Sequence, residues 1–179
     1  MKQLFIIVIL FMLAFQTKAQ DSTRAELEPW MVKMYFLPLT ANFEGRIGDS
    51  FSVEAGAGIG AGWAIEGDGQ FKYVVYPKAN LMLKNYYNLD KRLKKGKRTA
   101  MNSGNYWGLY SDFAFAPIAE NFENGYKWGL VVAPVWGFQR SYPSLITWGF
   151  NLGYGINMDN ENTRLRPVFN LHLGFILAK

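Results

Sequence analysis

From Phe51 onward the chain alternates bulky apolar residues with small or polar ones in segment after segment. A period of two places successive side chains on opposite faces of an extended strand. In Phe51 to Ile65, one face carries Phe51, Val53, Ala55, Ala57, Ile59, Ala61 and Trp63, and the other carries Ser52, Glu54, Gly56, Gly58, Gly60 and Gly62. The same alternation runs through Phe71 to Lys84, Tyr106 to Ala119, Tyr126 to Gln139, Leu145 to Met158 and Val168 to Ala178. Each segment is bounded by a polar, Gly-containing or Asn-rich turn, so six strands are predicted. Glycine at every second position from Gly56 to Gly62 marks a strand face. It is not the GxGxxG spacing of a dinucleotide loop, and no helix pattern follows it.

Ahead of Phe51 the phase changes. Between Leu37 and Ile47 the bulky set is Leu37, Leu39, Ala41 and Phe43, opposite Thr40, Asn42, Glu44 and Arg46. From Trp30 to Phe36 it is Trp30, Val32, Met34 and Phe36, with Lys33 opposite. A one-residue change of phase needs a turn or a bulge. Leu37-Pro38 is the place for it, because proline cannot donate to a ladder. A turn there makes eight strands, the even number expected of a membrane barrel, whereas a bulge leaves one long strand.

Alternation alone does not say which face is outside. Eight strands enclose room for modest side chains only, and the bulky face holds every tryptophan. The fold class expected is therefore all-β: a transmembrane antiparallel up-and-down β-barrel of eight strands with a closed polar lumen, its bulky face toward lipid. Trp63, Phe71, Tyr73, Trp107, Tyr126, Trp128, Phe138 and Trp148, toward the strand ends, would form interfacial girdles. A soluble periplasmic lipid-binding barrel, bulky face inward, is the competing architecture.

The first twenty residues read as an export signal: Lys2, an apolar run from Leu4 to Phe15, and small residues before a cut after Ala19. The run is too short for a spanning helix, which needs about 20 residues. Residues 20–179 are then a single outer-membrane domain. Half the residues are apolar, which excludes a disordered chain, and there is no cysteine for disulfides or a lipidated N-terminus.

If the C-terminus lies in the periplasm, the turns near Asp159, Asn121 and Gly67 face outside. Those near Ser141 and Gly48 and the long Asn85 to Asn105 segment then face the periplasm. That segment carries Lys91, Arg92, Lys94, Lys95, Lys97 and Arg98. A solvated basic loop is the plain reading, and a site for acidic headgroups or phosphate, or for a periplasmic partner, is the sharper one. Export argues against nucleic acid, so outer-membrane lipid is the partner expected. Tyr86-Tyr87-Asn88-Leu89-Asp90-Lys91-Arg92, then Gly96-Lys97 and Asn102-Ser103-Gly104-Asn105-Tyr106, resembles a segment of uncharacterised small outer-membrane β-barrel proteins of Bacteroidota-type bacteria. The leader ending in Ala19-Gln20 is similar too. The resemblance implies fold and location and brings no catalytic residues.

Some small outer-membrane barrels acylate or deacylate lipid A, with chemistry that resembles a serine hydrolase: a hydroxyl, a histidine base and an orienting acid. The one base here is His172, on the lumenal face, where Glu44, Glu54 or Asp112 could pair with it. In the deacylase-type barrels the nucleophile stands two residues further on, and here that residue is Gly174. No catalytic residue, metal or cofactor is therefore expected. Glu44, Arg46, Glu54, Lys78, Asp112 and His172 are read as a lumenal polar network, with Lys72, Lys84 and Lys127 also available to neutralise the acids. The function expected is a non-enzymatic integral outer-membrane barrel with a structural or interaction role. The alternative is a lipid A-modifying enzyme.

Overall fold

Every strand interior to a sheet offers hydrogen-bonding groups on both edges, and in this chain that requirement is met by closing the sheet on itself. In the computed structural model, residues 24–65, 67, 69–122 and 127–179 are described. The export signal expected over residues 1–19 and the aromatic Tyr126 lie outside them. The strands are β1 (Trp30–Leu37), β2 (Leu39–Arg46), β3 (Phe51–Ile65), β4 (Phe71–Asn85), β5 (Asn105–Ala114), β6 (Ala119–Glu120), β7 (Gly129–Ser141), β8 (Ile146–Asp159) and β9 (Thr163–Ala178). A short helix, α1 (Leu89–Lys94), lies between β4 and β5.

All pairings are antiparallel. Apart from two-residue β6, which runs beside Val74 and Val75 of β4, each strand pairs with the next, and β9 returns to β1. Eight strands thus form a closed ring. The seam between first and last strand is the irregular one, with register shifts between Val32 and Lys33 and between Tyr35 and Leu37.

The phase change at Pro38 is a hairpin. Phe36 pairs with Leu39 across a cis Leu37-Pro38 bond, so the first two strands are separate members of the ring. They are also short, eight residues each against fifteen in β3 and sixteen in β9. Among the described residues, residues 60–65 of β3 consequently pair with β4 alone, and residues 163–172 of β9 with β8 alone.

The antiparallel order gathers one set of connections at each end. The 24–29 lead-in, the 47–50 turn, the 86–104 connection, the 142–145 turn and Lys179 share one end, where Lys179 meets Glu28 at 3.4 Å. The Pro38 turn, the ends of β3 and β5, the starts of β4 and β7 and the 160–162 turn share the other. Asp159 shapes the last of these by accepting the amides of Glu161 and Asn162 at 2.9 and 2.7 Å.

The two faces segregate as the alternation implies. Lys33, Glu44, Ser52, Lys84 and Gln139, all inside the ring, are at most 2% exposed, while outward Trp63, Trp107 and Phe169 are 60% exposed or more. Inward glycines make this possible. A Cβ on Gly58 would strike the Leu39 carbonyl and the Thr40 backbone, and one on Gly60 would enter the Tyr76 ring.

Three parts of the chain depart clearly from the alternation. The Tyr106 to Ala119 segment breaks after Ala114, where Pro117 has no amide; the chain then follows β4 loosely, Ile118 donating to the Val75 carbonyl at 2.9 Å. β9 starts at Thr163 rather than Val168, because inward Arg164 and Arg166 are polar positions beyond the apolar stretch. The 86–104 connection is more than a solvated loop. It contains α1, and its Tyr86, Leu89, Met101, Asn102 and Ser103 are buried across one end of the ring.

Gly58→Val forces backbone apart and is expected to lower unfolding stability by about 1–3 kcal/mol. Gly62→Val, whose new Cβ would meet only a Val74 methyl at 3.3 Å, should cost far less in the same urea titration.

Candidate functional site

Register decides what the interior must do. Glu44 of β2 pairs directly with Glu54 of β3, and both point inward. Two like charges opposed across a ladder repel. Each flanking strand supplies a lysine to offset them, Lys33 from β1 and Lys84 from β4. Lys33 Nζ donates to Glu44 Oε2, to Glu54 Oε2 at 2.8 Å and to Gln139 Oε1 at 2.8 Å. Lys84 Nζ donates to Glu54 Oε2 at 2.6 Å and lies 3.5 Å from Glu44.

The remaining carboxylate lone pairs are also used. Glu44 Oε1 accepts from Ser52 Oγ at 2.6 Å, Tyr86 OH at 3.0 Å and Asn102 Nδ2 at 3.1 Å, while Glu54 Oε1 accepts from Asn42 at 2.9 Å. Two ammonium groups and two carboxylates cancel, and four neutral donors complete the set. The cluster joins β1, β2, β3, β4 and β7 to the 86–104 connection. It is a tie across the ring, in which both carboxylates are held by ammonium groups.

Of the six residues expected in the interior network, Glu44 and Glu54 meet. Lys78 and Asp112 form a separate pair at 2.8 Å. Arg46 stands at the terminal end, bonded to the Leu27 carbonyl at 3.3 Å and 3.5 Å from Glu26. Lys72 reaches the Asn121 carbonyl at 3.4 Å, and Lys127 is exposed.

His172 is buried and faces inward, but none of Glu44, Glu54 and Asp112 bonds to it, and its Nε2 has no hydrogen-bond partner among the described residues. Its ring lies 5.0 Å from that of Tyr35, and its edge fills the space left by Gly149. Gly174, packed on the Met34 carbonyl, offers no hydroxyl. A cavity of about 60 Å³ runs between His172, Tyr35, Lys78 and the cluster. That is space for a few waters at about 10–15 Å³ each.

The basic residues divide. Lys91, Arg92, Lys95 and Lys97 line a pocket of about 250 Å³ with Asn88, Asn105 and Arg140. Lys94 and Arg98 do not line it; the Arg98 carbonyl instead accepts from Arg92 Nη2 at 3.0 Å. Partial burial pulls the Arg92 guanidinium down from its ordinary value, yet arginine stays cationic at neutral pH. None of the ion pairs among the described residues involves these five cations.

Arg140 is an addition that the basic run could not reveal. It is the one charged residue at an outward position of the eight ring strands. Its guanidinium is held by the Gly104 carbonyl at 2.8 Å and Asn105 Oδ1 at 2.6 Å, and it stacks over Phe138, 4.8 Å from the ring centre. A lone charge on an outward parity was the available signal, as lone Lys33 was on the inward one.

The segment that carries the resemblance builds this end of the ring. Asn88 Oδ1 accepts from the Asn105 amide at 2.8 Å. Asn102, at φ 54, takes the left-handed conformation that asparagine tolerates, and its Oδ1 accepts the Glu28 amide at 2.8 Å. Ser103 Oγ accepts from the Ser141 amide at 2.9 Å. No protein family, curated protein or solved structure matches the chain.

Lys33→Met leaves Glu44 and Glu54 with one cation between them. Denaturant titration should show a loss of about 3–5 kcal/mol, and adding Glu44→Gln should recover part of it.

Proposed function

We propose that this chain is an integral outer-membrane β-barrel protein without catalytic activity, whose role is structural or interactive. The observation that carries this reading is the placement of its faces: ionic side chains lie inside the ring, with tyrosines and methionines packed among them, and aromatic and aliphatic ones cover its outside. Soluble proteins rarely expose apolar patches beyond a few hundred Å². Here the exposed set includes Phe43, Leu81, Leu109, Leu152 and Phe175, from five different strands. Lipid is the solvent that suits such a surface, and along the stretch where all eight strands pair, ring closure satisfies the backbone groups within it.

Length and aromatic placement agree with that solvent. Strands β3, β4, β7, β8 and β9 have 15, 15, 13, 14 and 16 residues, against the about 9–11 needed to cross at a tilt. Trp63, Phe71 and Tyr73 gather toward one end, with Trp30, Trp107, Trp136 and Trp148 toward the other. Such bands belong at the two membrane interfaces. Arg140 marks the headgroup level at the terminal end, which is the periplasmic side in this reading.

The interior supports a closed barrel in preference to a pore, since the cluster bridges five of its strands. The enzyme alternative is disfavoured by acids engaged in ion pairs, by a His172 to which none of Glu44, Glu54 and Asp112 bonds, and by glycine at 174.

Protein recovered from outer membranes is expected to migrate faster unheated than boiled in a detergent gel, as a closed barrel does. Recovery in the soluble periplasm, with no such shift, would favour the soluble ligand-binding barrel. His172→Ala should leave the lipid A profile of the cells unchanged, and an altered profile would reinstate the enzyme.

A further inference from the structure

Two groups of cations in this protein are placed in opposite ways. Lys33, Lys84 and Lys78 are paired with carboxylates inside the ring. Lys91, Arg92, Lys95, Lys97 and Arg140 converge from two parts of the chain on one pocket with no carboxylate in its wall. Mutual repulsion opposes that convergence, and the structure maintains it with directed bonds: Arg92 to the Arg98 carbonyl, Arg140 to Gly104 and Asn105, and Asn88 to the Asn105 amide. A prearranged group of donors around an empty volume suits an anion, and guanidinium and ammonium groups together suit phosphate.

Position narrows the source of that phosphate. Arg140 lies directly across the ladder from Trp148, beside Phe138, and Trp107 pairs with Trp136 on the same outward surface. Trp136 Nε1 in turn donates to Tyr87 OH at 2.9 Å, which fastens the basic connection to the aromatic band. The pocket therefore opens where the apolar surface ends. At about 250 Å³ it lies just below the about 300 Å³ at which pockets for whole small ligands begin, a size for a headgroup whose chains stay outside.

We propose that Lys91, Arg92, Lys95, Lys97 and Arg140 form a site for the phosphate of a membrane lipid headgroup, with the acyl chains lying against Trp107, Trp136 and Phe138. This rests on the membrane reading above. Arg140 is the specific element, because its guanidinium is oriented before any ligand arrives. Lys94 and Arg98 contribute charge to the surroundings and no contact.

Native mass spectrometry of the full protein, extracted in a neutral maltoside detergent, tests the site with phosphatidylglycerol and a phosphate-free glucosyl diacylglycerol as probes. Wild type should retain one phosphatidylglycerol and no glucolipid. Lys95→Gln with Lys97→Gln, both exposed positions, should weaken retention at least about tenfold, and Arg140→Gln should do the same. Lys94→Gln with Arg98→Gln removes as much charge outside the pocket and should bind as wild type does. Equal retention of the glucolipid, or equal weakening by the two double variants, overturns the site. Displacement by inorganic phosphate at the lipid's own concentration would overturn the lipid as its source. Heat-modifiable migration of every variant separates the two readings: a wild type that forms no barrel removes both, and well-formed variants with unaltered retention remove the pocket alone.

Discussion

An eight-stranded ring has little room inside, and side-chain volume therefore decides which way each residue points. The consequence reaches every strand. Most bulky residues are turned outward, and the interior is shared by glycines, long polar chains and a few rings such as Tyr35, Tyr106 and Tyr110, where polar groups away from solvent must satisfy one another. The opposition of Glu44 and Glu54 is the sharpest instance. Lysine suits the answer, since its slender stem threads between glycine-lined walls and its ammonium reaches two carboxylates at once. The inward glycines and the inward lysines are thus parts of one solution to a problem of volume.

The alternation of residue size carried the strands and their faces plainly. Phe51 to Ile65 is bounded as read, and the flip of phase at Pro38 was the visible trace of a hairpin. What escaped was either non-periodic or non-local. Arg164 and Arg166 hid the start of β9, because a strand extending past the apolar zone loses its contrast. Leu89 to Lys94 is too short and too charged to show a helical stripe. The network's membership depended on neighbours far apart in the chain: Gln139 reaches Lys33 across 106 residues, and no local pattern announces that bond. Arg46, by contrast, had the inward parity but sits at the strand's last residue, where the lead-in segment intervenes.

The same distinction separates the two groups of charge. Inside, Lys33, Lys84 and Lys78 are each matched by a carboxylate. At the terminal end, five cations share one pocket, and the hydrogen bonds of Arg92 and Arg140 end on neutral oxygens that leave their charge unneutralised. One arrangement spends its electrostatic energy within the fold, and the other leaves it available to a partner.

The brevity of the Pro38 hairpin has a further effect. Beyond it, β9 presents residues 163–172 with one side unclaimed among the described residues, and such a margin invites another chain to add a strand. This one is poorly suited to accept it. Pro167 has no amide to offer, and Arg164 and Arg166 would set cation against cation if a second copy aligned there. A ring that closes unevenly thus carries, on its open margin, the residues that discourage fibre-like growth from copy to copy.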